Sequence, residues 1–519
     1  MTTTAPPPTD DSATLARRQV RGSALLLAGR GISLGLNLAV QVLTVRYLSK
    51  GDYGAFAFAL AVVSLASSLS VFGLDKTVSR FAAIYHERRD HRALTGTLVF
   101  AAAMILLLGA AVVLLVFALQ DRLGPWLNVG SMGIHLLLVL IVLAPVNAFE
   151  SLSVALFAVL ASPRAIFFRR HVLGPGLKLS AVAAVMLLGG NVASLAVAYV
   201  VGGVLGIIIC AAMLVQLLRG GSLLGRLSLR RMRLPAGELL RFSLPVFGSD
   251  IAFLLRSSMV VLFLECFRES TAVAEFRAVL PVARLNELVL ANFAFLFIPT
   301  ASRFFAQGDR RSIADLYRRT AAWIAVLSFP LFAATFSLAR PVTVLLFGAR
   351  YADSAVVLAL LSLGYYAHAL LGFNSQTLKV LGRLRQIIMI EATVMAVAVG
   401  LYLWLIPLYG ARGAAVAMCG TMIVHALLNQ IALRWNLGEG LASGNLLRVR
   451  ILVVLGAAGI LTAQWIWSPP LWADVAVAAA VTLAVLLASR DLLDIDHTFP
   501  ELRRLPFLRP LAAKRNDVA

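Results

Sequence analysis

The groups in this chain best placed to do chemistry are charged and polar side chains set inside long apolar runs. Arg30, Ser33, Asn37, Gln41 and Thr44 fall at offsets 0, 3, 7, 11 and 14. At about 100° per residue they occupy one narrow sector of a helix face. Ser64, Ser68 and Asp75 share a face further on, and Ser243, Asp250 and Ser257 line up, with Arg256 about a quarter turn away. Arg277, Arg284 and Asn292 align in turn, with Glu287 one turn from Arg284, and Lys178 follows the GPG break at 174–176. A charge at bilayer depth costs at least about 2.5–3.5 kcal/mol, so each of these groups is expected to face protein or water. The pattern suits binding along a hydrated path. Guanidinium groups compensate an anion with fixed planar donors, amides and hydroxyls hydrogen-bond a polar ligand, and Asp250 and Glu287 are the carboxylates suited to ion exchange.

The elements that must position these groups are apolar segments of bilayer-crossing length. A spanning helix needs roughly 20 residues, because each rises about 1.5 Å through a core roughly 30 Å thick. Fourteen such segments are predicted: 22–48, 53–78, 94–119, 133–161, 166–189, 192–218, 242–264, 273–300, 314–338, 353–378, 386–407, 412–433, 449–467 and 471–489. The composition agrees, with 60% hydrophobic residues and a mean hydropathy of +0.88. The chain is therefore read as an all-α integral membrane protein.

The net charge of +21 raises the question of nucleic acid, and the positions of the cations answer it. Of the 46 Lys and Arg, 33 fall in alternate gaps, such as Arg80, Arg88, Arg89 and Arg92, or Arg164, Arg169 and Arg170; only 6 fall in the other gaps. Cytoplasmic loops collect Lys and Arg, so this asymmetry predicts a multi-pass protein of the cytoplasmic membrane with both termini inside. The basicity is then a topology signal, aided by anionic inner-leaflet lipids, and no nucleic-acid partner is expected.

Several function classes are excluded on the same reading. The first residues carry Pro6, Pro7 and Pro8 but no apolar core, so no signal peptide is expected there. None of the five lysines follows a GxxxxG, so no phosphate-cradling ATPase loop is present. Cys210, Cys266 and Cys419 lie in separate segments without metal spacing. The gaps on the outer side are short, leaving no loop to hold acids and bases over a sugar. No enzyme activity, cofactor or metal is expected.

The chain also resembles itself. GDYGAFAF and DKTVSRFAAIYHERRD are followed about 223 residues later by VAEFRAVL and IPTASRFFAQGDRR; Arg164 closes LFAVLASPR as Arg385 closes TLKVLGRLR; GGNVASLAVA from Gly189 recurs as YGARGAAVAM from Tyr409. An offset spanning six helices makes these parallel repeats, related by an axis along the membrane normal. The expected organisation is a disordered cytoplasmic tail over 1–17, an N-lobe of six helices over 18–218, a basic cytoplasmic linker at 219–241 and a C-lobe of six helices over 242–436. Two further helices over 447–490 and a cytoplasmic tail from 491 to 519 complete it.

The words LSKGDYGAFAFA, LFGARYADSA, LKVLGRLRQ and YGARGAAVA, on this 6+6+2 plan, resemble the polysaccharide-transport branch of the multidrug/oligosaccharidyl-lipid/polysaccharide exporters. The resemblance runs over roughly 18–490. It implies a lipid-linked oligosaccharide flippase of the O-antigen (Wzx) type serving lipopolysaccharide or exopolysaccharide synthesis, with a V-shaped pair of lobes opening alternately to the two sides. The implied substrate is an undecaprenyl-pyrophosphate oligosaccharide, and the implied partners are that substrate, membrane lipids and polysaccharide polymerase machinery. On this reading Arg30, Arg256, Arg277, Arg284 and Lys178 serve the pyrophosphate. Asn37 and Gln41, with Tyr365, Tyr366, Asn374, Gln376 and Asn429, serve the sugars, and Asp250 and Glu287 the coupling ion. An ion-coupled drug or metabolite antiporter is the alternative, ahead of a membrane-embedded glycan polymerase or ligase.

Blander readings stand beside these. Arg284 and Glu287 fit an intramembrane pair that merely holds helices together; Asp250 and Arg256 fit a structural pair between lobes. Arg277 and Lys178 are also explained by snorkelling to an interface. Asp75 and Lys76 are expected to neutralise each other, Glu150 and Glu391 to be isolated acids, and His135, His368 and His425 to be separately satisfied histidines.

Overall fold

A computed structural model describes residues 10–127, 130–160, 163–220, 232–438, 444–467 and 471–493. Its first compact unit covers Met1–Ala274. It contains α1 (Asp10–Tyr47), α2 (Lys50–Val71), α3 (Leu74–Glu87), α4 (His91–Ala118), α5 (Gln120–Leu127), α6 (Ser131–Leu140) and α7 (Leu143–Val159). It continues with α8 (Pro163–Ile166), a π-helix (Phe167–Leu173), α9 (Gly174–Leu187), α10 (Val192–Gly220) and α11 (Ala236–Phe267). The second unit, Glu275–Ala519, begins within α12 (Ser270–Ala283). There follow a 3-10 turn (Arg284–Glu287), α13 (Leu288–Ala306), α14 (Arg310–Ser337), α15 (Ala339–Phe347), α16 (Ser354–Leu370), α17 (Asn374–Val380), α18 (Leu384–Leu437), α19 (Gly444–Trp467) and α20 (Leu471–Leu493).

Each of the fourteen apolar segments falls on helix, but fewer helices meet the length and apolarity needed to cross a membrane. Among the described residues ten do, and eleven if the pair 270–294 and 297–306, bent by 43°, is one crossing. Part of the difference is geometric. As one straight rod, the 54 residues of α18 would extend about 80 Å, far beyond the bilayer core. Gly410 breaks it with φ 56° and ψ −129°, a conformation open to glycine, so α18 holds two predicted segments. Glycine-proline chemistry shortens the fifth segment, whose regular part is the 14 residues of α9. In α11, 258–267 is a shorter apolar helix among the residues whose side chains are described. The chain is a multi-pass membrane protein.

Two boundaries differ from expectation. The segment read as a disordered tail is helical from Asp10, where two acids, Asp10 and Asp11, favour the positive end of a helix dipole; residues 1–9 lie outside the described residues. The division between compact units falls at Ala274, one helix beyond the expected linker, of which 221–231 lie outside the described residues. The reason is packing: α11 runs against α2, α3 and α4. At one end a Cβ on Gly54 would lie 1.7 Å from the Ser270 carbonyl oxygen, so only glycine permits the approach. At the other end Phe72 stacks on Phe247, with ring centroids 4.6 Å apart.

In the first unit Leu74, Val78, Leu94, Ala101, Ile105 and Ala148 pack α3, α4 and α7 together. In the second, α14 is central: Tyr317, Ile324, Ala325, Phe329 and Phe332 are buried among α13, α16, α19 and α20. By contrast, α4 and α10 present Leu106, Leu107, Leu114, Leu205 and Ile208 outward. Such wide exposed apolar faces suit contact with lipid tails.

Candidate functional site

The first unit holds a pocket built around the π-helix 167–173. Pro175 has no N–H, so the bond to residue 171 is missing and an α-turn there is strained. The chain ahead of it widens into π geometry, which recurs at functional sites. The widened turn carries Arg169 into the interior, 2% exposed. Its Nη2 donates to Glu150 Oε2 at 2.9 Å, while Nε and Nη1 have no partner among the described residues. Small residues make the room: a Cβ on Gly206 would sit 3.2 Å from Nη2, and one on Gly174 3.4 Å from Nη1.

Around this buried pair lies an open pocket of about 880 Å³ including its mouth, lined by Arg169, Arg170, Lys178, Glu150, Asn37, Asn147 and Tyr199 with apolar and glycine neighbours. Arg170 and Lys178 are exposed to it. Three cations face a single carboxylate. Burying a charge in low dielectric is tolerable only when it is compensated, so this lining favours an anionic ligand. Asn147 donates to Ser67 Oγ at 3.2 Å, and Tyr199 packs edge-on against Phe56 at 5.2 Å. Both polar side chains are thereby held at the wall.

Of the residues expected from sequence in this unit, Asn37 and Lys178 line the pocket. Asn37 donates to the Ser33 carbonyl at 2.6 Å. Gln41, one turn on, donates to Tyr53 Oη at 2.6 Å. Arg30 is half-buried beside the π-helix: neighbouring Gly29 lies against His171 and Phe167, and Ser33 Oγ, which donates to the Arg30 carbonyl, lies 3.1 Å from His171 Nδ1. Arg30 is not among the lining residues of this pocket. Asp250 is ion-paired with Lys76. That corrects the expectation that Asp75 would neutralise Lys76; α11 brings a carboxylate from 174 residues away, and Asp75 Oδ1 has no hydrogen-bond partner among the described residues. The Arg256 side chain lies outside the described residues.

In the second unit the interruption is a tight one. After Pro281 the helix narrows into the 3-10 turn Arg284–Glu287. Arg284 is exposed and donates from Nε to Tyr365 Oη at 3.0 Å, while Glu287 and Arg277 are half-buried. Asn286 is fully buried and donates to the Ala283 carbonyl at 2.9 Å and to Thr335 Oγ1 at 3.0 Å. Three expected sugar ligands are committed elsewhere. Buried Tyr366 donates to the Ala325 carbonyl, Asn374 to the Ala426 carbonyl and Asn429 to the His425 carbonyl, as burial of such groups requires.

Two groupings escaped the sequence reading. Arg169 and Arg170 were counted as loop cations and Glu150 as an isolated acid; they meet in the pocket. The available signal was the GPG at 174–176, which breaks a helix, together with an acid in the fourth segment that needs a partner. His368, His425 and Glu391 were expected to lie separately. Instead His425 Nε2 lies 3.2 Å from Glu391 Oε1, and the rings of His368 and His425 stack with centroids 5.6 Å apart. No local spacing could have shown this, since the three sit on α16 and the two halves of α18.

The sequence matches the family described as "Polysaccharide biosynthesis protein" over residues 19–305, more than half of the chain. No curated protein matches it. Among solved structures it is similar to the lipid II flippase MurJ in an inward closed conformation, at 11% identity and a TM-score of 0.69, covering 93% of this chain and 99% of that one. It is also similar to an inward-facing multidrug resistance MATE family transporter of the MOP superfamily, at 17% identity and a TM-score of 0.67, covering 79% and 95%. A MOP superfamily transporter from Pyrococcus furiosus, described as having reverse polarity of its binding pocket, gives 18% identity and a TM-score of 0.57, covering 82% and 96%. At these identities the likeness is one of fold, the all-α architecture of MOP-superfamily transporters.

Proposed function

We propose that this chain, which belongs to the polysaccharide biosynthesis protein family, is a flippase that carries a lipid-linked oligosaccharide across the cytoplasmic membrane by alternating access. The observation that carries the reading is the excess of cations over carboxylates in a pocket bounded by membrane-spanning helices. A pyrophosphate crossing a low-dielectric region must have its charge compensated, and guanidinium groups do so while staying protonated. Arg170 and Lys178 supply the exposed contacts, and Arg169, only partly neutralised by Glu150, supplies the underlying field. Asn37, Asn147 and Tyr199 offer the amides and the aromatic edge that a sugar head uses. Arg30 in the first unit and Arg284 in the second are further candidate contacts for a pyrophosphate. The lipid tail stays in the bilayer, and polymerisation on the outer side removes the product.

The name of MurJ, a lipid II flippase, supports a lipid-linked substrate; the names of the MATE transporters keep the antiporter as the competing reading. Proteoliposomes holding the purified protein and a fluorescent polyprenyl-pyrophosphate oligosaccharide separate the two. Flipping should be protein-dependent, should be competed by unlabelled polyprenyl pyrophosphate more than by the monophosphate, and should be lost in the double variant Arg170→Ala, Lys178→Ala. Export of a lipid-free organic cation without flipping would overturn the proposal in favour of the antiporter.

A further inference from the structure

We propose that the cationic pocket of the first unit makes its return passage loaded, carrying back the sugar-free polyprenyl pyrophosphate left in the outer leaflet, so that the protein exchanges a glycosylated lipid pyrophosphate for a bare one; this rests on the flippase reading above. The pocket lies near mid-bilayer depth. Asn37 falls near the middle of the span Ala28–Tyr47, and Asn147 near the middle of Ser131–Val159. Arg169, Arg170 and Lys178 line it, with Glu150 as the one carboxylate among the described lining residues. Three cations against one anion leave an excess of two positive charges.

Other acids of this unit do not offset that excess. Asp250 is ion-paired with Lys76, and buried Glu265 accepts from Ser270 Oγ at 2.6 Å; neither lines the pocket. Arg169 is 2% exposed, with Nε and Nη1 unpartnered among the described residues. Arg170 and Lys178 are exposed, so water and salt screen them while the pocket is open. Alternating access passes through a state closed to both sides, and there the screening is lost. An uncompensated charge at bilayer depth disfavours such a state by about a hundredfold. Outward passage avoids the penalty, because the cargo's pyrophosphate diester brings one negative charge on each phosphate. A return without a ligand has no such compensation. A second anion of the same chemistry removes the penalty.

The chemistry of the product supplies that anion. Glycosyl transfer on the outer side breaks the bond between C1 of the sugar and its phosphate oxygen. The electron pair stays on that oxygen, the acceptor hydroxyl forms the new bond to C1, and its proton is released to water. What remains in the outer leaflet is polyprenyl pyrophosphate, with the same tail and phosphates and no sugar. It can meet Arg170 and Lys178 as the cargo does, while leaving Asn37, Asn147 and Tyr199 unused. Free pyrophosphate would compensate the charge equally well, so the lipid tail is what separates the two sources.

The experiment is counterflow in proteoliposomes holding the full chain, with a fluorescent polyprenyl-pyrophosphate oligosaccharide in one leaflet. Its flipping is timed with sugar-free polyprenyl pyrophosphate in the far leaflet, with inorganic pyrophosphate on that side, or with gluconate alone. The bare lipid should speed flipping at least about tenfold over gluconate. Acceleration by both pyrophosphates keeps the exchange, with the charge recognised and not the tail; acceleration by the inorganic anion alone would overturn the lipid as the returning ligand. Lys178→Gln lowers the charge excess to one, so the ratio of the bare-lipid rate to the gluconate rate should fall. Glu150→Gln raises the excess to three while keeping a hydrogen-bonding group for Arg169, so the ratio should climb. Each ratio is taken within one variant, so a loss of total activity cancels. Should Glu150→Gln fail to accumulate, Lys178→Gln, at an exposed position, carries the same reading. Equal rates in all three media, or a ratio unmoved in Lys178→Gln, would sink the exchange and leave the flippase reading standing. If the glycosylated lipid stays still in every medium while labelled bare lipid crosses between leaflets, the return passage stands and the flippase reading fails.

Discussion

The two units interrupt an apolar segment in opposite ways, and each interruption delivers an arginine. In the first unit the helix widens at 167–173; in the second it tightens at 284–287. Widening turns Arg169 inward onto Glu150, where it is nearly sealed, with two donors unpaired among the described residues. Tightening leaves Arg284 exposed, with its Nε on the Tyr365 phenol oxygen, while Asn286 is the residue turned inward. The same residue type thus plays two parts. A sealed arginine sets the field and the stability of its surroundings; an exposed one is free to exchange its partner for a ligand.

The largest expected effect sharpens this contrast in stability. Arg169→Ala leaves Glu150, a third exposed, without its partner, a loss of up to about 3–5 kcal/mol, so accumulation in membranes should fall and thermal unfolding should come at lower temperature. The double variant Arg169→Met, Glu150→Leu should recover accumulation but not flipping. Normal accumulation of the single variant would show that the pair is not sealed.

Arg284→Ala should behave in the opposite way, abolishing glycan export while membrane abundance stays near wild type. Arg284→Lys should rescue only partly, because the charge returns without the planar fork. Arg30→Ala should also abolish export. Retained export in the double variant Arg30→Ala, Arg284→Ala would remove both from the substrate path.

The inward residue of the tight turn should show a moderate effect. Asn286→Ala loses two hydrogen bonds, worth about 1–3 kcal/mol, while Thr335 keeps its own bond to the Leu331 carbonyl; the loss is readable as a lowered unfolding temperature, and no change would mean that the 3-10 turn is held by Pro281 alone. An ordinary helix start provides the baseline. Asp309 caps α14 through the Ser312 hydroxyl at 2.6 Å and the Ser312 N–H at 3.0 Å, which hold its carboxyl below the usual carboxylate range. A lowered value stabilises the fold above the ordinary pKa, and that stabilisation is lost as pH falls through the lowered one. Asp309→Ala should therefore matter little, and only at pH above the carboxylate range; a larger effect than Asn286→Ala would invert the ranking.

Much of the fold was legible because a bilayer imposes one simple demand. Apolar runs of sufficient length must be helical, and each of the fourteen predicted runs lies on helix. The count of independent crossings was harder to read, since Gly410, the GPG at 174–176 and Pro281 alter helix geometry without altering hydropathy. Periodicity and a helix break single out Asn37 and Lys178, which line the pocket. Arg169 was misplaced because a π-turn shifts the register that periodicity assumes, and Lys76 was given the wrong partner because its acid comes from α11.

By itself the sequence determined the membrane environment, the helical class and the presence of cations inside apolar segments, because burial energetics act on composition and short-range period. Which charges meet was decided only by the tertiary structure. Arg169 with Glu150, Lys76 with Asp250, and Glu391 with His425 and His368 are joined by packing between distant helices, and chain separation carries no information about such contacts until the bends at glycine and proline are set.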